Sequence, residues 1–270
     1  MNRIDAVFAK LAAADSKALI AYLTAGYPDF DTGLEILKKV CGAGADILEI
    51  GVPFSDPTSD GPVIQAASEA ALKAGMSLSK SIALAARLRE TVDTPIVLFS
   101  YYNPIFRYGV KRFAEDIGRA GVDGLLAVDL PPEEAGDLAA ALEGQAVHMI
   151  RLAAPTTKPD RVRMLAAGAG GFLYLISRTG VTGTGGLDMA AIAAHSAAVK
   201  SVCPHPVCIG FGISSGDDAR ALAPLADGII VGSAILRVLI EQRDAAAMPA
   251  AAAAKIRELR SGMDAARLPR

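Results

Sequence analysis

The sequence has few of the features that mark secreted, membrane or nucleic-acid-binding proteins. Its 270 residues include only three cysteines, Cys41, Cys203 and Cys208, which are too scattered for a disulfide framework. The longest stretch without a charged side chain is 16 residues, contains Pro204 and Pro206, and is too short to cross a bilayer. The first residues mix acidic and basic side chains, which is atypical of a signal peptide. We therefore expect a cytoplasmic protein that does not contact a membrane.

The charge balance also excludes one class of partner. The 27 Lys and Arg residues nearly match the 29 Asp and Glu residues, so the formal net charge is −2. A nucleic-acid surface needs clustered positive charge, because the phosphate backbone dominates such binding. The sequence therefore predicts no nucleic-acid partner.

Eight short apolar runs alternate with amphipathic, alanine-rich stretches. The runs cover residues 18–24, 47–52, 95–101, 124–130, 146–153, 172–177, 207–212 and 228–233. Most of them are continuously apolar, which is typical of parallel strands buried on both faces. Eight β/α units predict an α/β fold, a closed (β/α)₈ TIM barrel that forms one domain over residues 1–270. The alternative is an open doubly wound sheet, but the Gly-x-Gly-x-x-Gly turn expected after its first strand is absent.

Helical patterns fill the intervals between the runs and extend beyond them. Within the units they cover residues 32–43, 111–120, 133–142, 160–167 and 217–225. Extra helices are expected at the N-terminus over residues 2–15, after the second strand over residues 63–74, and near the C-terminus over residues 245–263.

In such a barrel the chemistry lies at the carboxyl ends of the strands, so acidic residues there are candidates for catalysis. Glu49 lies inside the apolar second strand, where desolvation should raise its pKa. Asp60 follows in a Pro- and Gly-rich loop over the same rim, and the two acids could divide general acid–base work. The alternatives are that a basic residue pairs with Glu49 and that Asp60 caps a helix. Asp129, which ends the fourth strand, is either a third functional acid or a turn or capping partner. Asp46 begins its strand, so we expect it on the opposite face.

Glycines gather after the last three predicted strands. The segment 177–186 contains Gly180 and Gly183, the seventh strand ends at Gly210 and Gly212, and the eighth is followed by Gly232. Backbone N–H groups of such loops, with a helix that begins at Ser233, bind anions in this fold. The sequence therefore predicts a phosphate site, and the 177–186 segment, whose only arginine is Arg178, is interpreted as a mobile lid.

Two other kinds of catalysis found in such barrels require residues that this chain lacks. A Schiff-base aldolase needs a lysine inside the barrel, but all ten lysines fall in predicted helices or in the loops that lead into them. A metal-dependent aldolase needs a cluster of metal ligands at the rim. Cys203, His205 and Cys208 could supply ligands, but they lie at the start of the seventh strand. We therefore expect no metal.

The motifs resemble those of the tryptophan synthase alpha chain family in order and along essentially the whole chain. They are L-E-I-G-V-P-F-S-D-P-T-S-D-G-P from residue 48, Y-Y-N from 101, D-L-P from 129, S-R-T-G-V-T-G from 177, G-F-G-I-S from 210 and V-G-S-A from 231. The resemblance implies a lyase of tryptophan biosynthesis, with reversible retro-aldol cleavage of indole-3-glycerol phosphate to indole and D-glyceraldehyde 3-phosphate. It implies no cofactor on this chain.

The resemblance also implies a role for each site residue. Glu49 would be the acid–base residue, Asp60 would hold the indole N–H, and Tyr174 would assist Glu49. The remaining positions are the phosphate ligands Gly183, Gly212, Gly232 and Ser233, the indole pocket Tyr22, Phe99, Leu126 and Phe211, and the lid residues Arg178 and Thr182. Thr182 would close onto Asp60.

The family works as an αββα heterotetramer, and the resemblance implies the same partner here. A beta chain that carries pyridoxal phosphate (PLP) would receive the indole. The contacting segments would be the loop from Phe54 to Asp60, the region of Asn103, and Pro131. This chain departs from the family at Thr58 and Ser59, where an aliphatic and then a small apolar residue are usual. The departure leaves both acids in place and concerns the packing of the loop.

Two other classes of protein are alternatives. Another phosphate-binding barrel, such as indole-glycerol-phosphate synthase or a sugar-phosphate epimerase, would need a catalytic lysine or metal ligands that this chain lacks. A non-catalytic subunit that kept the barrel would not need Glu49, Asp60 and the glycine loops together.

Overall fold

The computed structural model describes residues 1–176, 188–210 and 212–266. Within these residues nine parallel strands form one sheet, in the order β5-β4-β3-β2-β1-β9-β8-β7-β6. The strands are β1 Ala18–Thr24, β2 Ile47–Gly51, β3 Ile96–Ser100, β4 Gly124–Ala127, β5 His148–Met149, β6 Arg151–Ala153, β7 Leu173–Ile176, β8 Val207–Gly210 and β9 Gly228–Val231.

The two ends of this sheet are one segment of chain. β5 pairs with β4 and β6 pairs with β7, and only Ile150 separates β5 from β6. The Ile150 N–H donates to the carbonyl of Leu125 at 2.8 Å, so the ladder to β4 continues through the break. If β5 and β6 are counted as one interrupted strand, the sheet closes into an eight-stranded barrel. The predicted TIM barrel is therefore confirmed. The predicted strand over 146–153 exists but is divided at Ile150.

Twelve α-helices surround this barrel in the described residues. They are α1 Arg3–Ala13, α2 Phe30–Gly42, α3 Pro62–Lys73, α4 Leu78–Arg89, α5 Tyr102–Tyr108, α6 Val110–Arg119, α7 Gly136–Leu142, α8 Pro159–Ala167, α9 Met189–Lys200, α10 Gly216–Leu222, α11 Ser233–Glu241 and α12 Met248–Ala265. None of the described helices is long and apolar enough to cross a membrane.

The predicted helices differ from the observed ones mainly at their ends. The extra helices at the N-terminus, after β2 and near the C-terminus are confirmed as α1, α3 and α12. The predicted helix over 133–142 is a 3₁₀ turn, Pro132–Glu134, followed by α7, and the one over 217–225 is α10 followed by a 3₁₀ turn, Ala223–Leu225. No range predicted from the sequence corresponds to α4, α5 or α9; of these, α5 follows β3 directly and carries part of the rim.

Apolar side chains pack on both faces of the sheet. The inner cluster fills the barrel. At the end where the strands begin, here called the lower end, α1 closes the barrel with Ile4 and Phe8. The ring centroid of Phe8 lies 5.9 Å from that of Phe172. The outer cluster lies between the strands and the helices. Burial on both faces explains why the strands are continuously apolar.

Three aspartates at strand starts tie neighbouring strands together at the lower face. Asp46 accepts a hydrogen bond from the Leu19 N–H at 2.8 Å, and Asp123 accepts one from Ile96 at 2.9 Å. Asp227 does the same for Val207 at 2.9 Å. These carboxylates satisfy the first N–H groups of the strands, which agrees with the placement of Asp46 away from the catalytic face.

Candidate active site

Glu49 lies in the wall of the barrel with its whole side chain buried. It pairs with Tyr22 of β1 and Val97 of β3 across the sheet, and it is 0% exposed. Neither carboxylate oxygen has a hydrogen-bond partner among the described residues, so the alternative of a basic partner finds no support there. Burial raises the pKa of Glu49 from 4.5 to about 8. The side chain is therefore largely protonated at neutral pH and can both donate and accept a proton.

Asp60 lies over the same mouth in the loop before α3. It is 7% exposed, and burial raises its pKa from 3.8 to about 6, a rise that a hydrogen bond with the Tyr101 hydroxyl limits. The alternative role of Asp60 as a helix cap is wrong, because the N-cap of α3 is Gly61 and no side chain caps it. Asp60 is thus ionised at neutral pH while Glu49 is protonated, and Tyr22 lies near both acids.

Tyr101 holds this loop in place, a role that was not predicted from the sequence. Its hydroxyl accepts a hydrogen bond from the Ser59 N–H at 2.9 Å and pairs with the Asp60 carboxylate. Burial, followed by the charge of Asp60, raises the pKa of Tyr101 to about 12, so the hydroxyl keeps its proton. Its position at the end of the predicted third strand was the available signal, since rim positions carry function in this fold.

Two buried tyrosines adjoin Glu49, and glycines make room for both. Burial, and next the charge of Glu49, raises the pKa of Tyr174 in β7. A Cβ atom at Gly210 would lie 2.3 Å from the Tyr174 hydroxyl oxygen. Likewise, a Cβ atom at Gly51 would lie 2.1 Å from the hydroxyl oxygen of Tyr22. Both strand-end glycines therefore leave the space that the two hydroxyls occupy.

The predicted indole pocket is an apolar part of the same mouth. The ring of Phe99 lies 5.5 Å from that of Tyr22, edge to face, and Leu126 is buried inside the barrel. Phe99 also lines a cavity of about 600 Å³. Residues that the sequence analysis missed line this cavity as well, namely Val128, Leu152 and Ile176. Each is the last or next-to-last residue of a strand or follows it directly, which is the signal that could have found them.

Three predicted phosphate ligands lie in the described residues. Gly212, at φ +81°, follows β8, and Gly232 lies between β9 and α11, which begins at Ser233. A Cβ atom at Gly232 would lie 2.9 Å from Cδ1 of Tyr22, so the backbone there packs closely on the site. Exposed N–H groups at a helix start attract anions. The predicted residues Gly183, Phe211, Arg178 and Thr182 lie outside the described residues.

The rim brings the three predicted partner segments together. The ring of Phe54 lies 5.1 Å from that of Tyr101, which joins the loop before α3 to the end of β3. Asp129 accepts a hydrogen bond from the Tyr102 N–H at 2.7 Å, so its role as a capping partner is the one observed. Pro131 lines the same cavity as the loop before α3, and Asn103 lies exposed in α5. The segments therefore border one another.

The predicted non-catalytic residues lie away from this mouth. Asp46 pairs with Arg260 of α12, and Cys203 donates to the carbonyl of His205 at 3.6 Å. In the described parts of the chain, no three metal-ligating side chains come together.

Comparison with known proteins gives one consistent result. The family model described as "Tryptophan synthase alpha chain" matches residues 8–266. Proteins of that name from Desulfatibacillum aliphaticivorans and Desulfosudis oleivorans are each 51% identical over 241 residues, which are 89% of this chain and 91% of theirs.

Solved structures agree with this match. Tryptophan synthase subunit alpha from Legionella pneumophila superposes with a TM-score of 0.91 at 35% identity, over 98% of this chain and 99% of that chain. A tryptophan synthase structure from Mycobacterium tuberculosis gives 0.89 at 36% identity, over 99% of both chains.

Proposed function

This chain belongs to the tryptophan synthase alpha chain family, and from that premise we propose how its own residues carry out the family's reaction. The reaction is the lyase step of tryptophan biosynthesis, the cleavage of indole-3-glycerol phosphate to indole and glyceraldehyde 3-phosphate. The observation that carries the proposal is the pair of acids, Glu49 with a pKa near 8 and Asp60 with a pKa near 6, at one mouth of the barrel.

Glu49 moves both protons of the cleavage. In its protonated form it donates to C3 of the indole ring, which makes that carbon tetrahedral and the ring cationic. The resulting carboxylate then takes the proton of the hydroxyl on the adjacent glycerol carbon. As the aldehyde forms, the electron pair of the breaking C–C bond returns to the ring and neutralises it. Glu49 ends protonated again, and its raised pKa suits an acid that must also act as a base.

Asp60 stabilises the intermediate charge. Its carboxylate is ionised at neutral pH and accepts the hydrogen bond of the indole N–H, which becomes more acidic when C3 is protonated. Tyr101 orients that carboxylate, and Tyr174, whose pKa the charge of Glu49 raises, assists Glu49. Because the site is buried, these interactions act at a low local dielectric.

The other site residues position the substrate. Backbone N–H groups near Gly183, Gly212, Gly232 and Ser233 bind the phosphate. We assign the indole pocket to Tyr22, Phe99, Leu126 and Phe211, and the role of a lid to Arg178 and Thr182. The chain itself needs no cofactor for this acid–base chemistry.

We also propose the assembly and the location. A tryptophan synthase beta chain, which carries the PLP, binds the face made by the loop before α3, Asn103 and Pro131, in an αββα complex. Phe106 of α5, a large apolar side chain that is 65% exposed, supports an interface there. We place the complex in the cytoplasm and treat the chain as one domain, because α1 near its start and α12 near its end both pack on the barrel structure.

Replacement of Glu49 tests the mechanism. Glu49→Gln keeps the shape but cannot exchange protons as an acid, so indole release should fall roughly 10²- to 10⁴-fold. Binding of glycerol 3-phosphate, measured by calorimetry, should be unchanged, because it depends on the glycine loops. Near-normal turnover of the variant would contradict the assignment, whereas loss of both turnover and glycerol 3-phosphate binding would indicate a folding defect. The assay follows indole from indole-3-glycerol phosphate, with and without a beta chain.

A further inference from the structure

Arg151 is a buried cation that the reaction does not use. It lies in β6, is 7% exposed, and its Nε atom has no hydrogen-bond partner among the described residues. An arginine keeps its proton in proteins, so this side chain is a buried positive charge whose Nε–H donor has no partner in the described residues. Such a group destabilises a protein unless an acceptor reaches it.

The nearest acidic side chains are already engaged. Glu133 is the carboxylate whose charge acts on Arg151, but both of its oxygens bind the guanidinium of Arg161. Asp129, at the same rim, accepts the N–H of Tyr102 at 2.7 Å. Both carboxylates therefore have other partners, and the Arg151 Nε–H remains without an acceptor in the described residues.

Arg151 lines the cavity of about 600 Å³ at the barrel mouth. The cavity reaches from Phe99 and Ile176 at the mouth to Arg161 and Leu165 of α8. It has room for a small molecule beside the guanidinium. Arg151 lies apart from Gly232 and Ser233 of the proposed phosphate site, because β7 and β8 stand between β6 and β9 in the sheet.

We propose that Arg151 anchors a second anion site in this cavity, which takes a small oxyanion, a carboxylate or a phosphate, through the guanidinium fork. The planar fork matches two oxygens of either group. The alkyl wall from Leu152 and Leu165 suits the hydrocarbon part of a small organic acid. The site does not depend on the roles of Glu49 or Asp60. A negative result for the anion site would therefore leave the proposed mechanism unaffected, and the reverse also holds.

The test observes Arg151 directly. In the ¹⁵N-labelled full-length chain, the Nε–H resonance of Arg151 is assigned and verified by its absence in Arg151→Lys. Sodium malonate, inorganic phosphate and sodium chloride are then titrated at equal ionic strength. A saturable shift of this resonance with malonate or phosphate, and none with chloride, is the expected result. A response to malonate alone identifies a carboxylate site and a response to phosphate alone a phosphoryl site. No saturable shift with either overturns the proposal.

A matched pair of variants measures the contribution of the guanidinium. Arg151→Met keeps the length and apolar volume of the side chain, and it should weaken binding of the responding anion at least about 10-fold by calorimetry. Arg163→Met is the control, since Arg163 belongs to the same helix, α8, but does not line the cavity, and its side chain is 57% exposed and pairs with Asp160. Equal anion binding by wild type and Arg151→Met would overturn the site. If Arg151→Met does not fold, the shift of the Arg151 Nε–H resonance in the wild-type chain still shows whether the anion binds.

Discussion

At the scale of single residues, the two acids at the barrel mouth have their protonation states separated by burial. Asp60 loses its proton near pH 6 and Glu49 near pH 8. The active form has Asp60 ionised and Glu49 protonated, so kcat/KM should fall below about pH 6, when Asp60 is protonated, and above about pH 8, when Glu49 is ionised. A bell-shaped profile is therefore expected for the wild-type chain.

Tyr101→Phe should move one limb of that profile. The Tyr101 hydroxyl lowers the pKa of Asp60. Removal of the hydroxyl should therefore shift the midpoint of the acid limb to a pH above 6 and leave the midpoint of the alkaline limb near pH 8. At pH 7, kcat/KM should fall roughly 3- to 10-fold. Asp60→Asn is the companion variant, since it should remove the acid limb altogether. An acid limb that stays in place in Tyr101→Phe would show that the hydroxyl does not act on Asp60.

Glu49 should also make stability depend on pH. Its pKa is about 8 when folded and near 4.5 when unfolded, so between these values the folded chain binds one more proton than the unfolded chain. The free energy of unfolding should therefore fall as pH rises from 4.5 to 8. Glu49→Gln removes this term and should stabilise the chain by up to roughly 5 kcal/mol at pH 8.5, with little effect at pH 4.5. Urea denaturation at both pH values measures it; an equal effect at both would contradict the burial argument.

Residue types and positions made Glu49 and Asp60 predictable, whereas Tyr101 was not. An acid within a continuously apolar strand stands out in the sequence, because few buried strands contain one. The role of Tyr101 depends on a loop that folds back over it, and its partner Ser59 is 42 positions away. Nothing local in the sequence specifies that contact.

At the scale of elements, the apolar runs predicted the existence of all eight barrel strands but not the residues at which the strands end. The predicted strands over 124–130 and 228–233 end at Ala127 and Val231, because the following residues turn away to build the rim. Asp129 illustrates the reason, since its carboxylate binds the start of α5 rather than continuing the sheet. Strand ends are set by such tertiary contacts, and these end contacts build the site.

The strand-end glycines are the element-scale feature that the proposed chemistry needs. In Gly210→Ala the new Cβ would lie 2.3 Å from the Tyr174 hydroxyl oxygen, so the hydroxyl must leave its present position near Glu49. We expect kcat to fall roughly 10- to 100-fold, since displacements of about 1 Å have such effects. Gly42→Ala is the control: no atom lies within 4 Å of its Cβ position at the end of α2, so kcat should be unchanged. Steady-state kinetics compare the two, and equal kcat values would show that the space at Gly210 is not required.

At the scale of the whole molecule, the catalytic mouth and the proposed partner face share the same loops. Tyr101 contacts Phe54 on the outside and Asp60 on the inside. Asp129 joins β4 to α5, the helix that carries Asn103. A partner bound on this face would therefore contact the loop that positions Asp60. The departure at Thr58 and Ser59 lies within this loop, where Tyr101 still holds the Ser59 backbone.

Phe106 offers a way to separate partner binding from catalysis. Its ring is 65% exposed on α5 and lies 6.2 Å from that of Tyr102, outside the barrel mouth. Phe106→Asp places a charge where an interface would exclude water, and it should weaken beta-chain binding by roughly 10-fold or more. Indole release by the isolated chain should be unchanged. Ile240→Asp is the control, because this exposed apolar residue lies near the end of α11, remote from the helix start at the mouth. Surface plasmon resonance with a beta chain measures both variants. Equal affinity for the two would place the partner surface elsewhere, and loss of isolated activity in Phe106→Asp would mean that α5 supports the mouth itself.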